Sequence, residues 1–89
     1  MRTYDEPIHV LVTGQPVQFV WRDRLLLVKR VVTRWVESGQ WWRRIGGESD
    51  ELLAEREVWR VEAGNGTRIG VYELVNGPGE QWSLRAVLD

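Results

Sequence analysis

Turn-forming clusters cut this chain into short extended pieces, and that punctuation limits its possible folds more than any other feature. Gly14, Arg22-Asp23-Arg24, Ser38-Gly39-Gln40, Gly64-Asn65-Gly66-Thr67 and Asn76-Gly77-Pro78-Gly79 each interrupt runs rich in Val, Thr, Tyr and Trp. Side chains of those types suit a pleated, half-buried surface and lose rotamer freedom in a helix. The pieces between turns are therefore expected to be strands. The first is Ile8–Thr13. Pro16 opens the second, with Val17, Phe19 and Trp21 on one face. Leu25 to Glu37 is the third and longest.

That third piece keeps no clean apolar face, because Arg30 and Arg34 fall among Val32 and Val36. A bulge or bend near Lys29–Thr33 is expected, the usual device for turning a corner in a small barrel. Val58–Ala63, Arg68–Val75 and Gln81–Leu88 form a three-stranded meander. Asn65-Gly66 marks its first turn and fits a type I′ hairpin. In the last strand, Trp82, Leu84, Ala86 and Leu88 alternate onto one face. Glu48–Glu57 is the sole stretch with local helix preference, and an acidic stretch of ten residues supports at most a helical turn or two.

The expected fold is all-β: a single small antiparallel, strongly curved sheet or open barrel of about six strands. A short acidic loop or helical turn lies near 48–57. One domain comprises a basic hairpin at 16–37, a Trp-Trp-Arg segment at 40–45 and a C-terminal meander at 57–89. At 89 residues there is room for one core.

Several function classes drop out. The longest apolar runs, Leu25–Val28 and Val10–Val12, fall far short of the roughly 20 residues of a membrane span. The N-terminus has no apolar core of a secretory signal, so a cytoplasmic location is expected. With no Cys and the single His9, disulfides, thiolate zinc and histidine clusters are excluded. The glycines sit in turns rather than in a strand–loop–helix phosphate cradle. Asp50/Glu51 and Glu55/Glu57 fall in a solvated acidic loop with no fixed separation. A non-enzymatic chain without metal or cofactor is the expectation.

Two biases point to a role. The chain has six Trp, and eleven of its 12 cationic residues are Arg. Its formal net charge of −1 hides a segregation: residues 20–46 carry +5, residues 47–89 carry −5 and residues 1–19 carry −1. A near-zero mean therefore leaves room for an anion-binding face. Trp41-Trp42-Arg43-Arg44 alternates indole and guanidinium on both faces of a strand. An exposed indole between arginines suits base stacking; two core anchors with snorkelling Arg stems are the alternative. Lys29, Arg30 and Arg34 form a second constellation. Arg30 and Arg34 are expected on one face, about 13 Å apart at the rise of a β-strand, within reach of two phosphates. Pairing with Glu57, Glu62 or Glu73 of the acidic meander is the alternative.

From Trp35 to Asp89 the chain resembles a known family. Trp35, Ser38-Gly39-x-Trp41-Trp42-Arg43, Arg56-Glu57-x-Trp59-x-Val61-Glu62, Gly70-Val71-Tyr72-Glu73-Leu74 and Trp82 to Val87-Leu88-Asp89 follow the order of the C-terminal tail domain of ImuB-type proteins. Those are polymerase-defective relatives of Y-family DNA polymerases, acting in bacterial mutasomes. The basic hairpin before it is similar to that of small stand-alone bacterial proteins of unknown function. This chain closes Val-Leu-Asp where the tail closes Val-Tyr-Asp, and it carries no polymerase region and no recognisable clamp-binding peptide. The resemblance implies a non-catalytic accessory module near DNA repair or translesion synthesis.

The expected function is nucleic-acid binding through Lys29, Arg30, Arg34, Trp41, Trp42, Arg43 and Arg44, with single-stranded DNA as partner. A protein–protein adaptor meeting a polymerase- or clamp-type protein, or a homodimer, is the alternative.

Overall fold

A computed structural model of the chain describes residues 1–38 and 55–88. All regular structure among them is β: β1 (Arg2–Pro7), β2 (His9–Thr13), β3 (Gln15–Trp21), β4 (Arg24–Glu37), β5 (Arg56–Gly64), β6 (Ile69–Gly77) and β7 (Gln81–Val87). They form one antiparallel sheet in the order β1-β7-β6-β5-β4-β3-β2. The Trp-Trp-Arg segment 40–45 and most of the acidic stretch 48–57 lie outside the described residues.

The two outermost strands, β1 and β2, are separated by Ile8 alone. One short run of chain therefore pairs with β7 through its first half and with β3 through its second. The sheet must curl to serve both halves, and the result is a half-barrel. Ile8 is the pivot: its N–H donates to the Trp82 carbonyl at 3.2 Å, and its side chain is buried in the core. Seven strands replace the six expected. Arg2–Pro7 is polar and ends in proline, so nothing in it reads as a strand; only Tyr4 and Glu6 turn inward.

Apolar side chains from alternate positions fill the concave face. Phe19, Leu26, Val61, Leu74 and Leu84 are its centre, each contributing about 1.5–3 kcal/mol by leaving water. Tyr4, Phe19, Trp21 and Tyr72 meet edge-to-face, with centroids 5.2–6.3 Å apart.

The bend expected in the long strand is present as two bulges. In the β4–β5 ladder Val28 opposes Ala63 and Arg30 opposes Glu62; Val31 opposes Val61 and Thr33 opposes Arg60. Lys29 and Val32 are the extra residues. Each bulge flips the side chains beyond it to the other face. Arg30 therefore lies opposite Glu62 and Arg34 opposite Trp59. Trp59 and Glu62 are three positions apart in a strand that pairs with β6 in unbroken register, so they face opposite ways. The expected common face of Arg30 and Arg34 is thus corrected: the bulge at Val32 separates them.

A third bulge corrects β7. Leu84 opposes Leu74 and Ala86 opposes Glu73, so Arg85 is extra and Ala86 does not share the face of Trp82 and Leu84. The β5–β6 connection is also longer than expected. Gly64 pairs with Ile69, leaving a four-residue loop in which Gly66 has φ +127° and Asn65 does not adopt positive φ. The two-residue type I′ geometry instead belongs to the β3–β4 turn, where Arg22 and Asp23 have φ 54° and 62° and Trp21 opposes Arg24.

Candidate functional site

Of the expected binding residues, Lys29, Arg30 and Arg34 are described, and all three are exposed. Trp41, Trp42, Arg43 and Arg44 lie outside the described residues. The two arginines are already engaged. Arg30 donates from Nε and a terminal nitrogen to the Glu62 carboxylate at 3.3 and 2.9 Å. Arg34 pairs with Glu57 and lies over the Trp59 ring, 5.3 Å from its centroid. Both carboxyls sit below their ordinary pKa because of these guanidinium contacts. Exposed pairs of this kind add little stability, but they cancel the charge an incoming phosphate would need. The internal pairing left open by the sequence is what these two residues do.

A second network covers the convex face, around Trp35. Arg85, re-aimed by its bulge, donates to both Glu37 oxygens at 2.8 and 3.0 Å and to Glu73 at 3.1 Å. Arg56 also reaches Glu37, and Arg60 also reaches Glu73. Arg60 and Arg85 lie over the Trp35 ring. Arg85 above all, with the Trp35 N–H and Arg56, holds the Glu37 carboxyl at about 2 against an ordinary 4.5. A lowered carboxyl contributes stability above its unfolded pKa and loses it as the pH falls through the folded value. The domain will therefore lose stability between about pH 4.5 and 2. Glu37 will account for about 1–2 kcal/mol of that loss, allowing for solvent screening. Melting curves at pH 7 and pH 3 check this: Glu37→Gln will show the smaller drop. An equal drop in both proteins would contradict it.

Another group of cations gathers at the end of the half-barrel where the β3–β4 turn meets the β5–β6 loop. A cleft of about 330 Å³ lies there, lined by Arg2, Arg22, Arg24 and Arg68. Its aromatic wall is Tyr4, Trp21 and Tyr72. Arg22 is the fixed member. It donates to both oxygens of Glu6, at 3.0 and 2.6 Å, with its guanidinium 4.8 Å from the Trp21 ring and 5.2 Å from Tyr4. The Trp21 N–H donates to the same carboxylate at 2.8 Å. Arg22 first, then Trp21, lowers the Glu6 pKa. Arg24 approaches the Trp21 ring at 5.7 Å. Arg2, Arg24 and Arg68 have no carboxylate partner among the described residues.

Sequence reasoning missed this site because its cations come from positions 2, 22, 24 and 68, which only the curl of the sheet brings together. The one available signal was Arg22-Asp23-Arg24 in a turn. There, two non-glycine residues hold positive φ at a cost of roughly 1–2 kcal/mol each. Strain of this kind concentrates at ligand clamps.

A wider depression of about 730 Å³ beside the Ile8 pivot is lined by Asp5, His9, Glu80 and Trp82 among others; its charge is acidic and no arginine enters it. Leu11, Val20, Leu25 and Leu27, 36–52% exposed, share the convex face of β2, β3 and β4 through the pairings Val20–Leu25, Gln18–Leu27 and Leu11–Gln18. Among the described residues no group of three or more His, Asp or Glu is placed to hold a metal ion. No helix among them is long and apolar enough to cross a membrane.

The family model described as Domain of unknown function (DUF6504) matches residues 1–89. No curated protein and no solved structure matches the chain.

Proposed function

The chain belongs to the DUF6504 family, and we propose that it is a non-catalytic module that binds single-stranded nucleic acid at the arginine-lined cleft. The cleft itself carries the reading: three unpaired guanidinium groups and a clamped fourth stand beside three aromatic rings in one concave site. Guanidinium forks match phosphate oxygens, and aromatic rings accept unstacked bases of any sequence. This keeps the basic, aromatic chemistry expected from the sequence and moves it from Lys29, Arg30 and Arg34 to Arg2, Arg22, Arg24 and Arg68. The resemblance of Trp35–Asp89 to mutasome tails supports a setting in bacterial DNA repair or translesion synthesis.

Titration of single-stranded DNA against tryptophan fluorescence tests the proposal. Binding is expected at low salt and will weaken as the salt concentration rises, because the bound phosphate releases counterions. Arg24→Gln with Arg68→Gln will lower the affinity at least tenfold, whereas Arg30→Gln with Arg34→Gln will leave it within twofold. Absence of binding at low salt would overturn the reading.

The exposed aliphatic face of β2–β4 favours the adaptor or dimer reading as a second possibility, since contiguous apolar surface marks contact sites. Under it, a second copy is the simplest occupant. Light scattering would then give a dimer that Leu25→Ser with Leu27→Ser dissociates. A monomer at high concentration would remove that occupant.

A further inference from the structure

Resting on the nucleic-acid reading, we infer that the cleft recognises a nucleotide phosphomonoester, the phosphorylated end of a strand or a free nucleotide, rather than the internal backbone. Charge is the first argument. An internal phosphodiester carries a single negative charge. A monoester carries about −1.5 to −2 near neutral pH. Arg2, Arg24 and Arg68 line one cavity with no carboxylate partner among the described residues. A single diester would leave most of that positive charge uncompensated, while a monoester matches it more closely.

Size is the second argument. At about 330 Å³ the cleft lies at the small end of ligand sites. That suits one nucleotide.

Preorganisation is the third. The β3–β4 turn holds Arg22 and Asp23 at φ 54° and 62°, and the Glu6 carboxylate locks the Arg22 fork in place. On the opposite wall, Gly70 leaves room for the Tyr72 ring: a Cβ there would stand 3.3 Å from Tyr72 Cε1. Arg22 and the aromatic wall are thus held in place before a ligand enters, which lowers the entropy lost on binding.

The test compares one oligonucleotide sequence with a 5′-phosphate, with a 3′-phosphate and with both ends hydroxyl, alongside the mononucleotide and inorganic phosphate. A phosphorylated end is expected to bind at least tenfold tighter than the hydroxyl-ended strand. That preference will vanish in Arg24→Gln and in Arg68→Gln; both side chains are exposed, and circular dichroism will confirm that the variants fold. The mononucleotide will compete, and inorganic phosphate will compete more weakly for want of a base. Equal affinity for phosphorylated and hydroxyl ends, still dependent on the cleft arginines, would overturn the inference and leave the single-strand reading standing. Binding of the mononucleotide with no binding of any strand would overturn that reading and leave the phosphomonoester site. No binding of any probe would overturn both.

Discussion

Replacing Gly64 by alanine will cost about 3 kcal/mol of folding stability, a severe loss for a domain of this size. A Cβ at Gly64 would stand 1.9 Å from the Arg68 carbonyl oxygen, 2.9 Å from its carbon and 3.1 Å from the Ile69 Cα. All three are backbone atoms, so no rotamer change relieves the clash. Gly64 is buried and pairs with Leu27 on one side and Ile69 on the other, which places the damage where three strands meet. The melting temperature should fall by roughly 12–24 °C at 4–8 °C per kcal/mol. Gly77→Ala is the control, since its Cβ would meet only the Gln81 carbonyl oxygen at an ordinary 3.6 Å. Equal melting temperatures for the two variants would refute the steric account. Because the loop that closes over Gly64 carries Arg68, ligand affinity should fall along with stability.

Glu73→Gln will produce the second large loss, about 2–3 kcal/mol. The Glu73 side chain is 7% exposed and accepts from both Arg60 and Arg85. Removing its charge leaves Arg60, which lies over the Trp35 ring, without a carboxylate partner among the described residues and leaves Arg85 with Glu37 alone. Breaking a buried pair from one side costs about 3–5 kcal/mol, reduced here because each arginine is about a third exposed. Glu62→Gln removes a comparable pair whose arginine is 61% exposed, and should cost under about 1 kcal/mol. Urea denaturation of the two variants decides the point: losses of similar size would show that burial does not set the value of these pairs.

Both predictions rest on features that a linear reading handles unevenly. Turn residues and alternation made the all-β class legible, along with β2 to β7 and the bend of β4, because those signals are local. The β1 strand was not legible: Arg2–Pro7 has no apolar alternation, and its pairing with β7 depends on a strand some eighty positions away. Bulges were half legible. Charged residues among the valines of β4 signalled a bulge near Lys29–Thr33, where two lie, but not that the one at Val32 turns Arg30 and Arg34 apart. The site followed the same rule. Lys29-Arg30 and Arg34 stood out because they are neighbours in sequence, yet Glu62 and Glu57 cancel the charge of the two arginines across a strand pair. Arg2, Arg22, Arg24 and Arg68 drew no attention as a group because only the curl of the sheet unites them.

The central claim is that anions enter the cleft and not the basic strand β4. Two-dimensional NMR of the labelled protein, observing arginine Nε and tryptophan indole signals during titration with a 5′-phosphorylated oligonucleotide, tests it directly. The account predicts saturable shifts at Arg2, Trp21, Arg24 and Arg68, with Arg30 and Arg34 unmoved. Shifts confined to Arg30 and Arg34, with the Trp21 indole unchanged, would contradict it.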